Sequence, residues 1–133
     1  MSSLLSFVQR WRGQVCNVPG GAGGQCVDLA NQYLQDVWKA NPRRLNAVDW
    51  SRTVLPGMTW TPNSPTNTPP AYALVVWGKN AKDEIGPFGH IAVAIYGEVM
   101  QFLSFDQNWP SGAPCALVVH DYNGVLGWHR PSG

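Results

Sequence analysis

Apolar residues recur at helical spacing after Cys26, at offsets of three, four, seven and eleven residues along the chain. These offsets place side chains on one face of an α-helix. The pattern stops at Asn41-Pro42, because a proline disfavours a helical conformation in the residue before it. It therefore predicts a helix from about Gln25 to Ala40, with Cys26 in its first turn.

Two further segments have helical character. Leu4, Val8 and Trp11 share one helical face, which predicts a first helix that follows two capping serines and ends near residue 12. A short helix is also predicted within residues 46–54. The first helix is expected to pack on the domain.

From Tyr72 onward the apolar residues follow the periodicity of strands. The run Ala73–Trp77 is typical of a short strand that is buried on both faces. Hairpin turns are predicted at Gly97-Glu98 and Asn123-Gly124. Because the helices precede the strands, the chain is predicted to be an α+β domain with an antiparallel sheet of about five or six strands. The other strands are expected at His90–Tyr96, Val99–Phe105, Cys115–His120 and Val125–His129.

Residues 56–70 are rich in proline, threonine, asparagine and serine, and we expect them to form a long surface loop. Loops of this length within a compact domain are often functional. Trp60 has two interpretations: it forms one wall of a substrate groove, or it anchors the loop on the core.

The composition fits one globular domain and excludes some classes of function. The chain has 133 residues, of which 44% are hydrophobic and 13% charged, and a net charge of +1. These values argue against a disordered chain, nucleic-acid binding or a polybasic membrane surface. No apolar segment approaches the length of a membrane span, and the N-terminus lacks the pattern of a secretory signal. We therefore expect the protein to be made in a cytoplasm without a signal peptide, and not to insert into a membrane.

The sequence contains three cysteines, Cys16, Cys26 and Cys115, without the Cys/His spacing of a zinc site. Cys16 can pair with Cys115, although a reducing compartment favours free thiols. Cys26 follows a glycine-rich segment and lies at a predicted helix start. Free N–H groups and a partial positive charge there stabilise a thiolate and an adjacent oxyanion. Cys26 is thus a candidate nucleophile, and the alternative is a half-buried structural cysteine.

A histidine and a carboxylate are predicted on neighbouring strands. His90 begins a strand, and Asp106 and Asn108 lie two residues apart at the end of the next, which places them on one face. A carboxylate there can accept a hydrogen bond from the imidazole and fix its tautomer. Cys26, His90 and Asp106 would then be nucleophile, base and orienting residue. Alternatively, the polar residues are turn formers and an edge histidine.

Four motifs and a closing strand, in this order, resemble those of CHAP domains, the cysteine- and histidine-dependent amidohydrolase/peptidase family, and most of all the CHAP domains of bacteriophage endolysins. Together they span roughly residues 24–131, which is nearly the whole chain. The motifs are Gly24–Leu29, Leu74–Trp77, Gly89–Val93, Asp106–Trp109 and Gly127–Pro131.

The resemblance implies a papain-like (NlpC/P60-type) fold and specific roles for five residues. Cys26 corresponds to the nucleophile and His90 to the base, and Gln25 is placed to help shape the oxyanion hole. Asp106 stands where the family commonly has glutamate. Because aspartate is shorter by one methylene, either Asp106 or Asn108 is the residue that orients the histidine.

The same resemblance implies that residues 1–133 form a single catalytic domain that hydrolyses an amide or peptide bond of bacterial peptidoglycan. Trp60 and Trp109 are the candidate substrate contacts. A role in phage lysis of the host is expected, with the protein made in the host cytoplasm and acting as a monomer. Whether the enzyme is an N-acetylmuramoyl-L-alanine amidase or an endopeptidase stays open. The alternatives are an inactive wall-binding module and a cysteine amidase or peptidase with a substrate outside the wall.

No cofactor and no metal are expected. Some phage CHAP domains have an acidic calcium loop just before the cysteine. The corresponding segment here, residues 17–23, contains no carboxylate, whereas calcium sites usually include Asp or Glu.

Overall fold

A computed structural model describes residues 3–18, 25–78 and 87–133 of the chain. Two α-helices and a short 3₁₀ helix precede all six strands, and the strands form one sheet, as the α+β prediction requires. The helices are α1 (Leu4–Trp11), α2 (Cys26–Asp36) and the 3₁₀ helix (Ala47–Arg52), and the strands are β1 (Met58–Pro62), β2 (Leu74–Trp77), β3 (His90–Gly97), β4 (Phe102–Asp106), β5 (Ala116–His120) and β6 (Val125–Pro131).

The six strands lie in the order β1-β6-β2-β3-β4-β5, and every neighbouring pair is antiparallel. β2 is buried on both faces, as its apolar run predicts. Leu74 and Val76 face the core beneath the helices, whereas Val75 and Trp77 belong to a second apolar cluster on the opposite face. The sheet is therefore the central layer of the domain. Among the described residues, none of the helices is long and apolar enough to cross a bilayer.

Three predictions about the elements need correction. Residues 56–70 are not all loop, because β1 lies within them and pairs with β6, where alternating Thr and Trp side chains suit an edge strand. Helix α2 ends at Asp36, four residues early, since Lys39 takes a positive φ of 54° ahead of the proline. The β3–β4 hairpin forms, but its turn is closed by the bond from Glu98 N–H to the Gln101 carbonyl, so β4 begins later than predicted.

The predicted hairpin at Asn123-Gly124 is also wrong. A turn is present, with Gly124 at a φ of 83°. However, the strands that flank it do not pair, because β5 is the edge strand beside β4 while β6 inserts between β1 and β2. The turn thus carries the chain across the sheet, where β6 covers the second edge of β2.

Candidate active site

Cys26 is the first residue of helix α2. Gln25 caps the helix in an extended conformation, and its N–H donates to the Asp28 carboxylate at 3.0 Å. The Asp28 N–H donates to the Gln25 carbonyl at 3.1 Å. The N–H groups of Cys26 and Val27, at the start of the helix, have no carbonyl one turn earlier within the helix to bond. Cys26 is only 9% exposed, which places its thiol just beneath the surface.

The Gln107 side chain bonds the backbone at two places that precede Cys26 in the sequence, Cys16 and Gln25. Its side chain is fully buried, and its amide nitrogen donates to the carbonyls of Gln25 at 2.8 Å and Cys16 at 3.0 Å. Its amide oxygen accepts from the Cys16 N–H at 2.6 Å and from the Cys115 thiol at 3.2 Å. Gln107 therefore fixes the backbone immediately before Cys26 to the end of strand β4.

His90 is the first residue of β3 and is 4% exposed. Its Nε2 lies 2.7 Å from Oδ2 of Asp106, and since a carboxylate accepts, Nε2 carries the proton. The Cys26 side chain also interacts with the ring, and Nδ1 is the ring nitrogen that Asp106 leaves free for it. Burial lowers the pKa of His90, but hydrogen bonds to Asp106 and Cys26 and the charges of both groups raise it to about 9. The imidazole is therefore protonated at neutral pH.

Asp106 ends strand β4 and accepts three hydrogen bonds although it is only 1% exposed. Oδ2 accepts from Nε2 of His90 and from Nε2 of His120 at 2.8 Å, and Oδ1 accepts from the Ser104 hydroxyl. Burial raises the pKa of Asp106, but the hydrogen bonds from His120 and His90 outweigh it and lower the pKa below its usual range. The carboxylate thus stays ionised inside the protein.

Two tryptophans, Trp77 and Trp109, lie against both histidines that bond Asp106. The His90 ring lies 4.9 Å from the rings of both Trp77 and Trp109, and the His120 ring lies 4.7 Å and 5.0 Å from them. The second apolar cluster continues from these rings through Phe102. This aromatic surround restricts water around Asp106.

The chain is similar to known proteins in sequence and in fold. The family model of the CHAP domain matches residues 17–108, well over half of the chain.

The chain belongs to the CHAP domain family.

Two solved structures are similar to this CHAP domain over almost its whole length. The wild type endolysin LysIME-EF1 is 28% identical, with a TM-score of 0.81 over 96% of this chain and 62% of that one. Ly7917, solved with the hydrolysing product of MDP, is 17% identical, with a TM-score of 0.71 over 99% of this chain and 64% of that one. The second likeness concerns the fold alone. This CHAP domain spans slightly less than two thirds of the length of either structure.

The other candidate residues of the CHAP domain are placed as follows. Asn108 has a positive φ of 64°, and its amide nitrogen donates to the Gln25 side chain at 3.3 Å. The residue that accepts the hydrogen bond from the His90 ring is Asp106. Trp109 lies against His90. Trp60 lies on β1, which β6 and β2 separate from β3. It packs on the core and on His129, with ring centroids 4.8 Å apart.

By its position in the sequence alone, His120 is a poor candidate for this chemistry. The Asn123-Gly124 turn suggested a position far from any orienting carboxylate. Instead, β5 pairs with β4, and His120 reaches the same oxygen of Asp106 as His90 does. In the sequence, Gln107 is notable only as part of the motif Asp106–Trp109. Strand alternation was the signal that would have found it, since it must face away from Asp106 and therefore towards the helix layer.

His90, Asp106 and His120 each offer one possible metal-ligand atom, and these three atoms lie within 4.8 Å of one another. Among the described residues this is the one group of three with the spacing of a metal site. Both Nε2 to Oδ2 distances are hydrogen-bond lengths, so we assign the group as a hydrogen-bonded network. The segment for which calcium binding was considered lies mostly outside the described residues, which include only 17 and 18 of it.

Proposed function

We propose that this CHAP domain is a cysteine hydrolase that cleaves an amide or peptide bond of bacterial peptidoglycan. The observation that supports it best is the continuous series of contacts from Cys26 through His90 to Asp106. The likeness to the endolysin LysIME-EF1 favours the wall as the substrate and phage lysis of a host as the setting. We take residues 1–133 as one catalytic domain that acts as a monomer.

In this mechanism Cys26 acts as a thiolate, because the neighbouring protonated imidazole stabilises the negative sulfur. The sulfur attacks the carbonyl carbon of the scissile bond, and the oxygen becomes an oxyanion. The backbone N–H groups at the start of α2 donate to it, with the Gln25 side chain beside them. His90 then gives its proton to the leaving amine as the C–N bond breaks and a thioester remains.

Water completes the reaction. Neutral His90 takes a proton from a water molecule, whose oxygen attacks the thioester carbonyl. The C–S bond breaks, the carboxylic acid product leaves, and the thiolate and imidazolium are restored. Asp106 stays ionised and holds the ring in one tautomer throughout.

Purified peptidoglycan tests this proposal. The wild-type protein should release new amino groups, and Cys26→Ala should lower the rate by roughly 10³-fold or more while keeping the circular dichroism spectrum. Mass spectrometry of the fragments distinguishes an amidase, which frees N-terminal L-alanine from muramic acid, from an endopeptidase, which cuts within the peptides. Equal rates for wild type and Cys26→Ala would refute the cysteine mechanism.

Two other results point to the alternative functions. Sedimentation of the protein with peptidoglycan without any new amino groups would indicate an inactive wall-binding module. Hydrolysis of small amides or peptides but not of peptidoglycan would indicate a substrate outside the wall. Trp109→Ala, beside His90, and Trp60→Ala, on β1, test the substrate contacts: a contact residue should raise KM when it is truncated.

A further inference from the structure

Two histidines donate to a single oxygen of Asp106. Nε2 of His90 lies 2.7 Å and Nε2 of His120 lies 2.8 Å from Oδ2. His120 is the last residue of β5, the neighbour of the strand that Asp106 ends, and it is only 8% exposed. The mechanism above gives His120 no role.

We propose that His120 is a positioning residue, which holds the Asp106 carboxylate, and through it the His90 ring, in the orientation that presents Nδ1 to Cys26. This inference rests on the proposed hydrolase function, since its effect is on that reaction. His120 itself does not touch the sulfur or the reacting atoms.

The hydrogen bonds around Asp106 explain why a second histidine matters. Ser104 occupies Oδ1, and the two histidines occupy Oδ2, so both oxygens are fixed from three directions. Without His120, Oδ2 would have one donor, and the carboxylate would gain freedom to rotate about its Cβ–Cγ bond. The His90 ring depends on that oxygen for its orientation.

The His120 ring is held before any substrate binds. Its centroid lies 4.7 Å from that of Trp77, 5.0 Å from that of Trp109 and 5.4 Å from that of Phe102. A donor locked by packing needs little reorganisation during catalysis. The same rings limit the entry of water that would replace a lost donor to Asp106.

The charged and titratable groups around Asp106 give the proposal a pH signature. Among the described residues these groups are His90 from β3 and His120 from β5, with Cys26 from α2 in contact with His90. Removal of the His120 donor takes away an interaction that favours the ionised carboxylate, so the pKa of Asp106 rises. A protonated Asp106 holds the His90 imidazolium less well. The acid limb of kcat/KM therefore moves to higher pH.

Three variants of the full chain test the proposal on peptidoglycan. His120→Leu removes the donor, whereas His120→Gln keeps an amide N–H near the position of Nε2. His129→Gln is the matched control, since His129 is buried and bonds the Trp50 carbonyl at 2.6 Å on another part of the sheet. Each variant is measured for kcat/KM across pH and for its thermal midpoint.

We expect His120→Leu to lower kcat/KM about 10- to 100-fold, the range for loss of one hydrogen bond to a charged group, and to shift the acid limb upward. His120→Gln should recover most of the activity and the wild-type limb. His129→Gln should lower the thermal midpoint and keep the pH profile.

The proposal is overturned if His120→Leu matches wild type in rate and pH profile, or if Leu and Gln lose activity equally with an unshifted limb, which would indicate packing alone. Activity in Cys26→Ala would instead refute the hydrolase mechanism. If His120→Leu fails to fold, ¹⁵N NMR of wild-type histidines decides. Protonation of His120 at Nε2 supports the proposal, and the Nδ1–H tautomer overturns it.

Discussion

Gln107→Leu separates the role of the buried amide from that of the catalytic groups. Leucine is similar in size but offers no donor or acceptor, so all four hydrogen bonds of Gln107 are lost. The cost lies mainly at Cys16, whose N–H and carbonyl both bond this side chain in a fully buried position. The Gln25 carbonyl belongs to an exposed residue and still accepts from the Asp28 N–H at 3.1 Å.

A buried polar group that loses its partner costs roughly 1–3 kcal/mol. Two such groups at Cys16, less the gain from an apolar side chain, give a loss of about 2–4 kcal/mol for Gln107→Leu. The free energy of unfolding of a typical domain is about 5–15 kcal/mol, so the variant should stay folded at low temperature. Displacement of the backbone before Cys26 should then lower kcat by about 10- to 100-fold.

Urea unfolding followed by fluorescence measures the free energy of unfolding, and peptidoglycan hydrolysis below room temperature measures kcat. The control is Gln101→Leu, at an exposed position in the β3–β4 turn, where the backbone carbonyl accepts from the Glu98 N–H. It should change the unfolding free energy by less than about 0.5 kcal/mol. The reasoning is refuted if the two variants have the same stability and the same kcat.

Four further outcomes follow from the structure. Because contacts raise the pKa of His90 to about 9 from an ordinary value near 6.5, they stabilise the fold fully below about pH 6.5, and this stability is lost as the pH rises to 9; urea unfolding across pH should show the decline, and His90→Gln should remove it. Cys26 should react first with iodoacetamide in the native protein, because Cys16 and Cys115 are at most 1% exposed; peptide mass spectrometry would contradict this if either buried thiol reacted equally fast. A mild disulfide oxidant should then link Cys16 to Cys115, whose sulfurs lie 3.8 Å apart, with loss of two hydrogen atoms. Gly89→Ala should destabilise the protein by roughly 2–4 kcal/mol in urea unfolding, since its φ is +76° and a Cβ would lie 2.3 Å from the Trp77 carbonyl oxygen; a stability equal to wild type would refute this.

Local patterns in the sequence were sufficient for the parts of the site that lie near one another along the chain. Helical periodicity after Cys26 predicted the helix that this cysteine begins, and the short connection after Gly97 predicted the β3–β4 hairpin. That hairpin brings His90 beside Asp106, because consecutive antiparallel strands joined by a tight turn must pair. Strand alternation then set which residues share a face.

The tertiary structure decided which strands are neighbours when they are distant in sequence. A turn at residues 121–124 indicates only that the chain reverses, and it does not state whether the next strand pairs with β5 or crosses to β2. That choice depends on non-local backbone pairing and on the apolar area that β6 covers, including Trp128. It leaves His120 on an edge strand beside Asp106.

The contacts of Gln107 with Cys16 and Gln25 are also tertiary, since the partners are separated by 91 and 82 positions in the sequence. Periodicity gives each side chain a direction relative to its own helix or strand. Only the packed sheet and helices determine which group each side chain meets in that direction, because distant hydrogen-bond partners leave no regular spacing in the sequence.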